Sequence, residues 1–371
     1  MLPHDAGTLH IDRVPIVRLH GHEALAARLH DALRRGRLPS SLLLHGPAGV
    51  GKQRLALHLA VAILCTGADA PCGACASCRY MAELQHPDLH WFFPRPRLKD
   101  ADPDAGTVRR DYAEEIAQRV AAGGLYRTPD GSQAVYVAAV RALVQVAVMS
   151  PAVSRRKVII VGDAERMVAQ EGADAAANAF LKLLEEPPDD TIVILTSSEP
   201  GALLPTIRSR VVSVRVAPLT DAEVAAFLDD PVVDRWIIAD AGKRPVPGRA
   251  DLMALAAGAP GQALRGPGTA TAAARRMLDA ATGRGRAGLY REAFIQKSAS
   301  ARGDFAPVLD ALTVAVHERV KRHAARGEHD AAYRATFAIP AIERAKERVN
   351  GNVSPPLITA ALLRELRECL Q

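Results

Sequence analysis

Apolar and polar positions along the first half of the chain switch repeatedly between strand and helix spacing. Leu42, Leu43 and Leu44 form a short apolar run, the chain turns through Gly46-Pro-Ala-Gly-Val-Gly51-Lys52, and Arg54-Leu-Ala-Leu-His-Leu-Ala-Val-Ala-Ile63 continues at helical spacing. Upstream, Leu25, Leu29 and Leu33 share a helical face that Gly36 and Pro39 close, while residues 1–12 carry no such pattern and read as a loose end. Downstream, the pattern predicts a short helix in CRYMAELQ, a turn at His86-Pro87-Asp88, a strand ending at Pro94, a helix within 135–151 and an apolar strand in RRKVIIVGDAERM. Ala177, Phe180, Leu181 and Leu184 then share the face of a helix stopped by Pro187, and strands follow over 191–198 and 211–216. From Pro218 onward the pattern is helical.

Strands alternating with helices predict an α/β fold, a largely parallel sheet with helices on both faces. The expected organisation is a nucleotide-binding-like domain over residues 1–216, a small helical lid over 217–268 and an all-helical C-terminal domain over 269–371. Residues 95–133, rich in Pro, Gly and charge, predict a partly mobile surface insertion with one helix from about Tyr112 to Ala122 and a solvated stretch of arginines at 95–110. At 371 residues the chain exceeds what one hydrophobic core usually covers. Although 49% of the residues are hydrophobic, no uncharged run is long enough to cross a bilayer and the first residues lack a signal-peptide layout, so a cytoplasmic location is expected. The net charge of +6 is compatible with a phosphate or nucleic-acid partner and is too thinly spread to demand one.

The strand, glycine-rich turn and helix around Gly46, Gly49, Gly51 and Lys52 are what a phosphate-binding loop requires: backbone amides face the phosphates, the helix N-terminus adds its dipole, and the lysine adds a charge. The next residue departs from that pattern. Gln53 stands where a Ser or Thr would hold Mg²⁺, so the loop is expected to hold ATP or ADP, if at all, with little hydrolysis. Cys65, Cys72, Cys75 and Cys78 lie within one short window and predict a structural Zn²⁺ site closed to water. A redox C-x-x-C pair or free thiols are the alternatives; Cys369 stands apart as a helical residue.

The ordered series GPAGVGK, CGACASC, HPD, KVIIVGDAERM, ANAFLKLLEEPP, LTSSEP and LLPTIRSR resembles that of the bacterial clamp-loader AAA+ subunits of DNA polymerase III, and within them the delta-prime branch. That resemblance implies a P-loop AAA+ sheet domain, the lid, and a C-terminal helical collar for oligomerisation. Ungapped against the motor subunits of tau/gamma type, Gly162 falls where their metal-binding Asp stands, Asp163 where their water-positioning Glu stands, and Gly261 where their lid arginine stands. What the resemblance implies instead is a finger: Arg210, beside Ser209, would reach the γ-phosphate bound to an adjacent subunit, with Arg208 as a nearby alternative and Val211 replacing the family's cysteine. A surface arginine capping the next strand is the plain alternative for Arg210. Thr196, Ser197 and Ser198 lie at a strand end where a polar side chain senses phosphate in the motor subunits, and are expected here to satisfy backbone groups instead; His86, which could be read as a metal ligand, is expected to serve a turn. The implied partners are tau/gamma and delta subunits and, through the assembly, the sliding clamp and primer-template DNA. The alternative function is an active ATPase of tau/gamma type, which Gln53 and Gly162 discriminate against.

Overall fold

The computed structural model describes residues 17–100, 102–125, 133–167, 174–242, 246–264, 269–283, 287–295, 302–349 and 354–370. The expected loose end at 1–12 and the C-terminal part of the expected insertion, 126–132, lie outside the described residues, as does the side chain of Ala177. The chain divides into two compact units, the first running to Leu264 and the second from Arg265.

In the first unit, α1 (Glu23–Arg34) precedes β1 (Ser41–His45), α2 (Lys52–Leu64), α3 (Ala76–Ala82), β2 (Leu89–Phe92), α4 (Ala105–Ala121), α5 (Val137–Ala147) and β3 (Lys157–Val161). Then come α6 (Asp174–Glu185), β4 (Thr191–Ser197), the single turn α7 (Pro205–Arg208) and β5 (Val212–Arg215). All five strands are parallel, in the order β2-β3-β4-β1-β5. β1 lies between β4 and the edge strand β5, with Leu43 opposite Leu195 of β4 and Leu42 opposite Val212 of β5. A parallel sheet is covered on both faces, and the apolar runs Leu42 to Leu44, Val158 to Val161 and Ile192 to Leu195 are accordingly buried throughout. α2 runs beneath the sheet against β1, β3 and β4, which is why its leucines and alanines are buried on more than one face. The fold class is the expected α/β P-loop arrangement.

The insertion expected at the surface is corrected by the structure. α4 begins at Ala105, well before the predicted start, because the Asp104 side chain caps it by accepting from the Gly106 and Thr107 amides. Its inner face is buried through Val108, Tyr112, Glu115 and Arg119. The Tyr112 hydroxyl donates to the Phe93 carbonyl at 2.7 Å, and the Arg119 guanidinium lies 3.4 Å from the Phe93 ring centroid. Arg95, expected in a solvated loop, pairs instead with Asp111 and Glu115. Polar residues carry this buried face, so its hydrophobic pattern is faint.

α8 (Asp221–Leu228), α9 (Pro231–Ala241), α10 (Arg249–Ala256) and α11 (Pro260–Leu264) complete the first unit. Thr220 and Glu223 form a reciprocal capping box that fixes the start of α8. The second unit holds α12 (Thr269–Thr282), α13 (Ala287–Ile295), α14 (Arg302–Ala325), α15 (His329–Thr336), α16 (Ala338–Val349) and α17 (Pro355–Leu370). Its own core is built from Met277, Leu309, Leu312, Val316, Ile342 and Leu362.

One buried polar node joins the cysteine segment to the sheet. Asp88, ahead of β2, accepts from the amides of Val153 at 2.9 Å and Ser154 at 2.7 Å, and from that of Ala152. The Ser154 hydroxyl meets Leu64, Ser77 and His86, so the end of α2, the start of α3 and the HPD turn share one side chain. Burial works against the Asp88 carboxylate, but the three amides and His86 hold its pKa below the usual value of 3.8. Asp88→Asn should therefore cost about 1–3 kcal/mol at neutral pH. A depressed folded pKa adds stability that is complete above the unfolded value and lost as pH falls through the folded one. The gap in melting temperature between wild type and Asp88→Asn, measured by circular dichroism, should thus narrow below about pH 4.

Candidate functional site

The phosphate loop leaves the C-terminal end of β1. Gly46 passes so close to β5 that a Cβ would lie 2.1 Å from the Val216 carbonyl oxygen, and Gly49 (φ +81°) and Gly51 (φ +102°) adopt the left-handed conformations that the turn needs. Lys52, the first residue of α2, is only 5% exposed. Its Nζ donates to the carbonyls of Gly46 and Pro47 and to the Ser198 hydroxyl, each at 2.9 Å. The lysine that would meet phosphate is thus held by the oxygens of its own loop and of the segment after β4. Ser198, expected only to satisfy backbone groups, is part of that grip. Thr196 and Ser197 do play the expected part: they accept from the amides of Asp163 and Glu199.

Gln53 packs against Gly162. A Cβ on Gly162 would lie 2.6 Å from the Gln53 carboxamide carbon. Gln53 Oε1 accepts from the Trp91 indole at 3.1 Å, and Nε2 points to Asp163 Oδ2 at 3.4 Å. A carboxamide anchored on both sides, facing a residue with no side chain, offers neither the hydroxyl nor the carboxylate of an octahedral Mg²⁺ site. The lid segment approaches the loop from another direction. The Gly261 amide donates to the Gly49 carbonyl at 2.9 Å and Gln262 Nε2 donates to that of Ala48 at 2.9 Å. A Cβ on Gly261 would lie 2.8 Å from the Gly49 Cα, so the backbones touch where a longer residue would hold them apart. From the N-terminal segment, His22 Nε2 lies 2.8 Å from the Val50 carbonyl, and His20 bonds Asp230 at the start of α9.

Arg210 stands at the other edge of the sheet. It follows α7 and precedes Val212, which pairs with Leu42 near the start of β1, whereas the phosphate loop follows the end of β1. At roughly 3.3 Å per residue the two are separated by about 20 Å along the strands. Arg210 Nε donates to Glu185 Oε1 at 2.6 Å, Nη2 donates to the same oxygen, and Nη1 reaches the Thr206 carbonyl at 2.8 Å and Ser209 Oγ at 3.3 Å. The side chains of Arg210 and Glu185 are 29% and 44% exposed, which makes this a surface pair. Ser209 Oγ in turn donates to Thr206. Arg208 is exposed.

The four cysteines meet where α2 ends and α3 begins. Their sulfurs all lie within 4.8 Å of one another, and Cys65 and Cys75 Sγ are 3.9 Å apart. Tetrahedral zinc with bonds of about 2.3 Å needs sulfur separations of roughly 3.8 Å, so the group fits such an ion. The amides of Gly67 and Cys72 donate to Cys65 Sγ, and that of Cys78 to Cys75 Sγ. Burial opposes ionisation of Cys75, yet hydrogen bonds from Thr66 and the Cys78 amide bring its thiol down to about 5. His86 is buried, bonded to the Asp88 amide and facing Ser154, so it serves the turn.

Against known proteins, the family described as DNA polymerase III, delta subunit, matches residues 21–220, more than half of the 371-residue chain. The chain belongs to this family. The DNA polymerase III subunit delta' of Pseudomonas aeruginosa is 34% identical over 230 residues, covering 61% of this chain and 56% of that protein. The subunit delta' of Bacillus subtilis is 28% identical over 192 residues, 52% of this chain and 46% of that protein. The subunit gamma/tau of Mycobacterium tuberculosis is 33% identical over 192 residues, 51% of this chain and 26% of that protein. The chain thus matches about half the length of its curated delta' relatives.

For this member of the DNA polymerase III delta family, the motif residues mark the site's centre and leave out what grips it. Trp91, Gln262 and His22 carry no spacing signal, only the neighbouring Gly261 hints at Gln262, and Ser198 is marked by the LTSSEP stretch without its role as a partner of Lys52. The contact between Gln53 and Gly162 yields a prediction. Gly162→Asp alone should overpack the corner and cost about 1–3 kcal/mol. Adding Gln53→Thr should recover part of that loss, giving a coupling of about 0.5–3 kcal/mol in a double-mutant cycle by urea unfolding.

Proposed function

We propose that this chain is the delta-prime, non-motor AAA+ subunit of a DNA polymerase III clamp loader, and that it lends Arg210 to the nucleotide site of a neighbouring tau/gamma-type subunit. The observation that carries this is the opposition within one sheet. The chain's own metal corner is filled by Gln53 against Gly162, while Arg210 remains on the surface about 20 Å from that loop by strand length, too far to act on it. A finger so placed is useful only in trans. ATP or ADP in the chain's own loop would have to take Lys52 from Gly46, Pro47 and Ser198, and would then be a structural ligand held without hydrolysis. Delta and tau/gamma subunits are the direct partners, joined through the C-terminal helices as a collar; the sliding clamp and primer-template DNA are met through the assembly. Among the described residues no helix is long and apolar enough to cross a membrane, which accords with work in the cytoplasmic replisome.

ATP hydrolysis by tau/gamma and delta subunits with clamp and primed DNA tests the proposal. The wild-type chain should be silent alone and should stimulate the mixture. Arg210→Ala should still assemble by gel filtration and lose at least about tenfold of the stimulation, a modest share of the 10³ to 10⁵ attributed to arginine fingers. Hydrolysis by this chain alone, abolished by Lys52→Ala, would mark it as a motor instead.

We further assign Zn²⁺ to Cys65, Cys72, Cys75 and Cys78 as a structural ion. Its ligands would bind the end of α2 to the start of α3, beside the Asp88 and Ser154 node. Metal analysis of the purified protein should give one zinc per chain. Its removal by a strong chelator should lower the melting temperature, and Cys75→Ser should abolish the metal content.

A further inference from the structure

Of the groups at the proposed trans interface, Glu185 is the one that no motif role accounts for. It is the last residue of α6, where Pro187 stops the helix, and it reaches across 25 positions of sequence to Arg210. Two of the guanidinium's nitrogens donate to a single carboxylate oxygen of Glu185, and a third is turned back onto Thr206 and Ser209. Four hydrogen bonds therefore hold the finger on its own subunit. A guanidinium binds a carboxylate and a phosphate with the same donors, so it cannot keep Glu185 in this arrangement and also make a bidentate contact to a γ-phosphate.

Building on the trans-finger function proposed above, we propose that Glu185 is the positioning residue of that finger: it holds Arg210 parked over the Thr206 to Ser209 turn until a neighbour's γ-phosphate displaces the carboxylate. The exchange swaps one anion for another, and no bond is made or broken covalently. Glu185 and Arg210 are both partly open to water, so the hold is that of a surface pair, strong enough to orient the side chain and weak enough to be given up. Phosphate carries more charge than a single carboxylate and therefore wins when it arrives, whereas in the free subunit the finger is kept from other anions. The hold also makes engagement depend on ionic strength, because the parked pair is screened by salt.

The test uses the complete assembly of this chain with tau/gamma and delta subunits, sliding clamp and primed DNA, and follows ATP hydrolysis as this chain is titrated in. Glu185→Gln keeps the side chain's size and removes its charge. It should lower the concentration of this chain needed for half-maximal stimulation by about threefold, or ~0.7 kcal/mol at 1.4 kcal/mol per tenfold. That difference should shrink as salt is raised from 0.05 to 0.5 M. In the Arg210→Ala background the same substitution should have no effect. A lower maximal rate, or an unchanged half-saturating concentration, would overturn the parking role while leaving the finger standing. Loss of assembly by Glu185→Gln, read by gel filtration, would show that the residue only packs the interface. Full stimulation by Arg210→Ala would instead remove the finger itself, and the parking role with it.

Discussion

Parallel strands give a sheet two chemically different edges, and the rest of this molecule follows from that polarity. Every strand of the first unit points the same way, so the loops after β1, β3 and β4 gather at one edge and the segments leading into β1 and β5 gather at the other. The phosphate loop, the Asp163 turn and Ser198 share the first edge. Arg210, Glu185 and Ser41, whose hydroxyl donates to the Leu184 carbonyl, share the second. Between them, the apolar runs of β1, β3 and β4 are buried throughout, whereas β5 is largely exposed.

At the first edge, three approaches converge on a few loop atoms. The His22 side chain comes from before α1, the Gly261 backbone comes from α11, and the Lys52 ammonium turns inward from α2. Each hydrogen-bonds carbonyls of the loop. The glycine turn before Lys52 is thus held through its carbonyl oxygens by groups of its own chain. At the second edge, the arginine remains at the surface on a short turn stiffened by Ser209 and Thr206.

Features encoded within a few consecutive residues were readable from the chain: the glycine turn before Lys52, the four cysteines, and the apolar runs of the buried strands. They depend on local spacing, which folding preserves. The burial of α4 was not readable, because Tyr112, Glu115 and Arg119 form its inner face and look like solvent-facing residues until Arg95 and the Phe93 ring are placed against them. The grip on Lys52 was missed for a similar reason: its third partner, Ser198, lies 146 positions away. Gln53 could be read as a lost ligand, but only the fold shows that its amide occupies the space left by Gly162 and is tethered to Trp91.

That tether makes positions 53 and 162 interdependent. A carboxylate introduced alone at position 162 would meet the Gln53 amide head-on, and a hydroxyl introduced alone at position 53 would leave the Trp91 indole nitrogen without the oxygen it now donates to. Either single step gives a less stable protein. The corner therefore tolerates change as a pair more readily than one residue at a time.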